Sequence, residues 1–317
     1  MRAYLIRRLL LAIPTMFIVS VIIFVLVRLI PGDIIDAMAA GAWGIEQMDR
    51  AAIEKALGLD VSLPVQYGRW ISNIVLHGDL GTSLWKDVPV VDLIAAKWPV
   101  TFELGFLGLI VGQLIALPVG IFSALRQDTW GDYIARSFAI FCIAVPGFWL
   151  GTMAIVFPSI WWAWSPPISL IPFTEDPIGN LQMFILPAIV LGMVTSGMTM
   201  RLTRTMMLEV LRQDYIRTAW AKGLRERVVI LRHTLKNALI PVITLIGIQL
   251  PVMVGGSVII EQIFNLPGVG RLIISAVVER DEPVVGGLIL VFSAGLVLIN
   301  IMVDLTYAFL DPRVHYK

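Results

Sequence analysis

"DYIRTAWAKGL" (residues 214–224) stands between two runs that are almost wholly apolar. It belongs to a basic stretch, 201–236, in which nine Lys and Arg residues face only Glu209, Asp214 and Glu226. The flanking runs, 182–202 and 237–260, are each long enough to cross a bilayer, for which about 20 mostly apolar residues suffice. The stretch therefore reads as a polar connection between two membrane spans.

Composition agrees with that reading. Of 317 residues, 58% are hydrophobic and 15% charged, with a mean hydropathy of +0.85, whereas soluble domains carry roughly 25% charged residues. Four more runs qualify as spans, 9–30, 99–125, 133–157 and 284–310, which predicts an all-α integral membrane protein with six transmembrane helices. The first run competes with a signal peptide, because Arg2, Arg7 and Arg8 precede it and Ala37-Met38-Ala39 resembles a cleavage site. Its apolar core of about 19 residues exceeds the 7–15 of a cleaved signal, so it is read as a retained span.

Lys and Arg accumulate in cytoplasmic segments. With the N-terminus inside, the basic stretch 201–236, the turn at Arg126 and the tail with Arg313 and Lys317 all fall on the cytoplasmic side. The opposite side receives 158–181, which has no Lys or Arg, and 31–98, which has nine acidic and five basic residues. Both termini are thus expected in the cytoplasm. The expected partition is 1–30 for the tail and first helix, 31–98 for an external segment, 99–310 for a five-helix core containing the cytoplasmic loop 203–236, and 311–317 for the tail. Within 31–98, one helix is expected over 44–60 and another over 63–76, followed by the turn cluster "HGDLGTS" (77–83). That segment is either a cap over the external mouth or a docking surface.

The cytoplasmic loop is more specific. Leu208, Leu211, Tyr215 and Ala219 recur on one helical face, and Gly223 is placed to end the helix. A basic helix bound to anionic lipid is the competing reading. Chemistry is not indicated: Cys142 is the lone cysteine, His77, His233 and His315 are far apart, and no G-x-x-x-x-G-K-[ST] phosphate loop occurs. No catalytic or metal site is expected, nor any cofactor in this chain.

Residues 214–224 resemble the cytoplasmic "EAA" loop of ABC importer permeases. Counting back from Gly223 puts Arg217-Thr218-Ala219 in the Glu-Ala-Ala slots, so the glycine and one alanine are kept and the glutamate is not. The order D-Y-x-R-T-A-x-A-K-G-L is similar to the dipeptide/oligopeptide branch. So are "RHTLKNALIPVIT" (232–244), "GGSVIIEQIFNLPGVGRL" (255–272), "RDEPVVGG" (280–287), "VDLTYAFLDPR" (303–313), "RLIPGD" (28–33), "LPVQYGRW" (63–70) and "VPGFWLG" (145–151). The resemblance covers nearly the whole chain and is to the B-type transmembrane subunit.

It implies a type I importer permease fold in a prokaryotic inner membrane. It also implies a homologous second permease as heterodimer partner, two ATP-binding subunits that hold ATP and Mg, and an extracytoplasmic substrate-binding protein. Lipid surrounds such a chain, and no nucleic acid is involved. The coupling residues implied are Asp214, Tyr215, Arg217, Thr218, Ala219, Lys222, Gly223 and Leu224. Cargo would be di- or oligopeptides, with glutathione, nickel chelates and oligosaccharides as alternatives; an autonomous six-helix carrier is the reading from another class.

Neutral polar groups within spans, Gln113, Thr195, Ser196, Gln249 and Asn300, are candidates for lining a pathway, each weighed against a plain interhelical hydrogen bond. Glu261, after the small residues Gly255-Gly256-Ser257, is either a gate or a charge steadying the loop that follows. Pro118, Pro146, Pro187, Pro241 and Pro251 mark kinks or breaks.

Overall fold

The computed structural model describes residues 2–29, 60–167 and 169–310. The helix expected over 44–60 lies, but for Asp60, outside them, as does the basic tail. Among the described residues the chain is helical, with one isolated bridge, Thr82 to Pro89, and no strand. The helices are α1 (Arg2–Leu29), α2 (Leu63–Ser72, continued by a π-helical turn, Asn73–His77), α3 (Val90–Leu125), α4 (Trp130–Ala144) and α5 (Gly147–Trp162). There follow α6 (Pro177–Leu211), α7 (Asp214–Ala221), a short turn of helix and π-helix (Glu226–Val228, Val229–Leu235), α8 (Lys236–Ile263), α9 (Val269–Glu279) and α10 (Glu282–Leu310).

Among the described residues, five helical stretches are long and apolar enough to cross a membrane: Ile6–Leu29, Val90–Leu125, Pro177–Leu211, Glu226–Pro251 and Glu282–Val303. The sixth expected span is not one helix. Residues 133–157 divide into α4 and α5, bent by 99°. Val145 stands before Pro146 with φ −84° and ψ 125°, the extended conformation that a following proline imposes by clashing with helical backbone. Each piece, 15 and 16 residues, rises only about 24 Å, short of a hydrocarbon core of about 30 Å.

Contacts divide the chain into two compact units, one from Met1–Trp98 with Leu272–Leu298 and one from Pro99–Arg271 with Ile299–Lys317. In the first, α2 packs on α1 through aromatic rings: Tyr67 meets Phe24 edge-on at 5.3 Å and Trp70 lies 5.9 Å from Phe24. The Tyr67 hydroxyl is 2.8 Å from Ser20 Oγ, and Gln66 Oε1 accepts from Arg28 Nε and Nη2 at 3.0 and 2.7 Å. The turn cluster 78–89 docks on the link between α9 and α10. There the buried Asp281 accepts from Ser83 Oγ and from Leu84 N at 3.2 Å, and Trp85 Nε1 donates to Glu279 O at 2.7 Å.

The second unit is built around α6. Within its most apolar window 67% of residues are buried, against 22–33% in the other candidate spans, so α6 is the helix the rest pack upon. Small residues permit the close crossings. Gly108, Gly112, Ala116 and Gly120 of α3 recur every four residues, and a Cβ on Gly192 of α6 would stand 2.7 Å from Gly112 N. Backbones this close gain dispersion contact where lipid offers no hydrophobic advantage. Apolar clusters fill the remainder: Leu104, Phe184, Leu191 and Phe264 in one, Ala124, Met207 and Ala238 in another.

Candidate functional site

α6 does not stop where its hydropathy falls. It continues past Arg201 to Leu211, and only two residues separate it from α7. Leu208 and Leu211 therefore belong to α6, and the helical phase restarts at the N-cap Gln213. The stripe expected through Tyr215 is corrected accordingly: Ile216 and Ala219 are the inward residues, packed on Val229 with Val210 alongside. Tyr215, 46% exposed, lies on the outer face, where its hydroxyl accepts from Asn237 Nδ2 at 3.0 Å.

Gly223 ends α7 in the left-handed region, φ +74°. Its N–H donates to Trp220 O at 2.9 Å and the Leu224 N–H to Ala219 O at 3.4 Å, the paired bonds by which a glycine-terminated helix satisfies its last carbonyls. Asp214 and Arg217 pair at 3.3 Å, but both are largely exposed, so solvent leaves the pair little weight. Thr218 Oγ1 donates back to Asp214 O. The outer surface of this short helix thus offers Tyr215, Arg217, Thr218, Trp220, Lys222 and Leu224 to solvent. It combines aromatic and cationic groups, a pairing suited to grip by a protein groove.

On α6, ten residues ahead of α7, stands one member of a charge pair that the sequence does not disclose. Asp132, the third residue of α4, is fully buried and accepts from Arg204 of α6 twice, Nε to Oδ1 at 2.9 Å and Nη2 to Oδ2 at 2.7 Å. Ser123 Oγ near the end of α3 and Asp128 N supply two further donors. Arg204 also borders an open depression of about 430 Å³ with Thr205, Leu208, Glu209, Arg212 and Gln213. Nothing in the local sequence announces a pair 72 residues apart; the one available signal is a buried-type position, 132, occupied by a carboxylate at a helix start.

The pathway candidates part company. Thr195 and Gln249 come together: Gln249 Nε2 donates to Thr195 O at 3.2 Å and lies 3.3 Å from Thr199 Oγ1, so it ties α8 to α6. The hydroxyls of Thr195 and Ser196 donate within their own helix, to Gly192 O and Met193 O. Gln113 of α3 has both Nε2 and Oε1 buried without a hydrogen-bond partner. Asn300 is exposed on α10.

Glu261 is buried and engaged. It accepts from Thr101 Oγ1 at 2.7 Å and Arg271 N at 3.1 Å, while Thr101 Oγ1 receives Val269 N at 2.8 Å. This network holds the turn 265–270, with Gly268 and Gly270 leaving room for the carboxylate. Such packing favours the loop-steadying reading of Glu261. Among the described residues no cluster of three or more His, Cys, Asp or Glu side chains is placed to hold a metal.

Comparison with known proteins accords with this architecture. Residues 116–316 match the family described as binding-protein-dependent transport system inner membrane component, and residues 1–105 match the N-terminal model of the same kind of membrane component. A protein named as a peptide transport system permease of Brucella suis biovar 1 (strain 1330) is 41% identical over 316 residues, covering 100% of both chains. The glutathione transport system permease protein GsiC of Pectobacterium atrosepticum is 39% identical, covering 99% of both. The solved MetNI methionine ABC transporter, in inward-facing conformations, shares the fold with a TM-score of 0.54 at 17% identity, over 70% of this chain and 97% of that one. With full-length relatives at this identity and a transport-family match over most of its length, the chain belongs to the inner membrane components of binding-protein-dependent transport systems, as a permease subunit of an ABC importer.

Proposed function

We propose that this chain forms one half of the translocation pathway of an ATP-driven importer for peptides or glutathione-like solutes, coupled to separate ATPase subunits through α7. The full-length similarity to permeases named for peptide and glutathione transport supports the cargo class. The observation that carries the coupling role is α7 itself, a glycine-capped helix with its apolar side on Val229 and its aromatic and basic side exposed. Asp214, Tyr215, Arg217, Thr218, Lys222 and Leu224 then meet the ATPase, while Ala219 and Gly223 shape the helix.

In this reading the partners are a homologous second permease, two ATPases that hold ATP and Mg, and a binding protein that selects cargo. The chain itself carries no cofactor and performs no hydrolysis. The excess of Lys and Arg in 201–236 favours placing α7 and both termini in the cytoplasm of a prokaryotic cell. Gln113, whose buried amide has no hydrogen-bond partner, is a pathway candidate in this reading, with Thr195, Ser196, Gln249 and Asn300, whereas Glu261 steadies the turn 265–270.

Co-purification tests both parts. The membrane complex is expected to retain ATPase subunits, to lose them on Gly223→Trp, and to associate with a binding protein whose bound ligand is a peptide or glutathione. Retention of the ATPases by Gly223→Trp, or transport driven by an ion gradient without any ATPase, overturns the reading.

A further inference from the structure

A carboxylate has about four acceptor directions, and Asp132 uses them all on groups from different elements: Arg204 Nε and Nη2 from α6, Ser123 Oγ from α3 and Asp128 N from the turn before α4. The guanidinium contact is two-pronged, which fixes direction as well as distance. The Asp132 side chain is shielded from solvent and that of Arg204 is 20% exposed. Removing one partner of such a pair leaves a charge uncompensated, a far larger disturbance than loss of a surface bridge.

Its position gives it a use. From Arg204, α6 runs unbroken to Leu211, and Arg212 and Gln213 lead directly into α7. From Asp132, α4 runs to Ala144 and the 99° break. The pair is therefore a charged, two-pronged fastening between the helix that bears α7 and the head of the broken span. Apolar contact alone, such as Met200 of α6 on Ala139 and Cys142 of α4, permits sliding; a two-pronged bond does not.

We infer that the Asp132–Arg204 pair is a positioning element that carries displacement of α7 into the broken span α4–α5. The inference rests on the coupling role proposed for α7. With the pair intact, α7, the base of α6 and the head of α4 shift as one body when the ATPases close. Without it, α7 still engages the ATPases but α4 no longer follows.

The test uses the assembled importer in proteoliposomes, with Cys142→Ser and spin labels at Trp130→Cys and Arg225→Cys, both exposed positions. The inter-label distance is measured by pulsed electron resonance without nucleotide and after trapping with ATP and vanadate. In the native pair a single narrow distance is expected, unchanged on trapping. In Asp132→Asn the ATPases are still captured and hydrolyse ATP, and the distance shifts and broadens on trapping. Arg204→Lys, which keeps the charge but not the two-pronged bond, is expected to broaden it less, and it decides the matter if Asp132→Asn does not assemble. A narrow, unchanged distance in these variants, or a distance that moves in the native pair, overturns the inference. Failure of the underlying coupling role is separable, because it appears as ATPase capture that survives Gly223→Trp.

Discussion

The Ser83 hydroxyl donates to the Asp281 carboxylate across 198 residues of sequence, and so fastens the turn cluster after α2 to the link between α9 and α10. Both residues are buried, Ser83 at 2% and Asp281 at 2% exposure. The two sequence motifs, "GDLGTS" and "RDEP", are thus halves of one contact rather than separate features. Asp281→Ala orphans the Ser83 hydroxyl and the Leu84 N–H, each costing about 1–3 kcal/mol when buried. The expected result is faster hydrogen exchange at the Leu84 amide with α3 and α10 still helical; unchanged exchange would refute the fastening.

Gly192→Ala is expected to destabilise the second unit, because the new Cβ falls 2.7 Å from Gly112 N and 2.8 Å from Gly108 O. Overpacking of this kind costs about 1–3 kcal/mol. Gly255→Ala, where a Cβ meets nothing within 4 Å, serves as the control. Thermal unfolding in nanodiscs should separate the two, and equal melting temperatures would show that the α3–α6 crossing is not tight.

At Gly223 the space is open, with nothing within 4 Å of where a Cβ would stand, but φ is +74°. A non-glycine residue held there costs about 1–2 kcal/mol, and Asn suffers least. Gly223→Asn should therefore capture the ATPase subunits nearly as well as the native chain, Gly223→Ala less well, and Gly223→Trp not at all. Capture that follows side-chain size but ignores the Asn/Ala difference would show that bulk matters and backbone conformation does not.

Gln113 and Gln249 should respond oppositely to replacement by Leu. Gln249→Leu removes the bonds to Thr195 and Thr199 and is expected to weaken the α6–α8 contact by about 0.6 kcal/mol, typical of an interhelical bond in a membrane. Gln113→Leu removes no bond, so stability should hold or rise while uptake of labelled trialanine or glutathione falls. Unchanged uptake in Gln113→Leu excludes it from the pathway.

The spans are legible in the sequence because an apolar run of twenty residues declares itself, and Pro146 marks the place where one run is broken. What stays hidden depends on partners distant in sequence. Hydropathy drops at Arg201, yet α6 continues for ten residues more and carries Arg204 to its partner Asp132; a sliding window has no knowledge of that pairing. Tyr215 lies on a different face from the one expected for a related reason: the expected stripe carries the helical phase across Arg212-Gln213, where the backbone resets. The alternation of Gly108, Gly112, Ala116 and Gly120 is in plain sight, but small residues gain meaning only when the helix they admit is known. Glu261 shows the same limit, since Thr101, 160 residues away, gives it its place.

The break at Val145 and Pro146 has a thermodynamic corollary. Wherever a helix ends, amides and carbonyls are left without intrahelical partners, and hydrocarbon supplies none. At the 99° joint between α4 and α5 the chain supplies part of that company itself: Phe141 O accepts from Val145 N, and Pro146 O from Trp149 N and Leu150 N. The elbow between α4 and α5 is thus a place where backbone polarity, rather than side-chain hydropathy, limits what can lie against the chain.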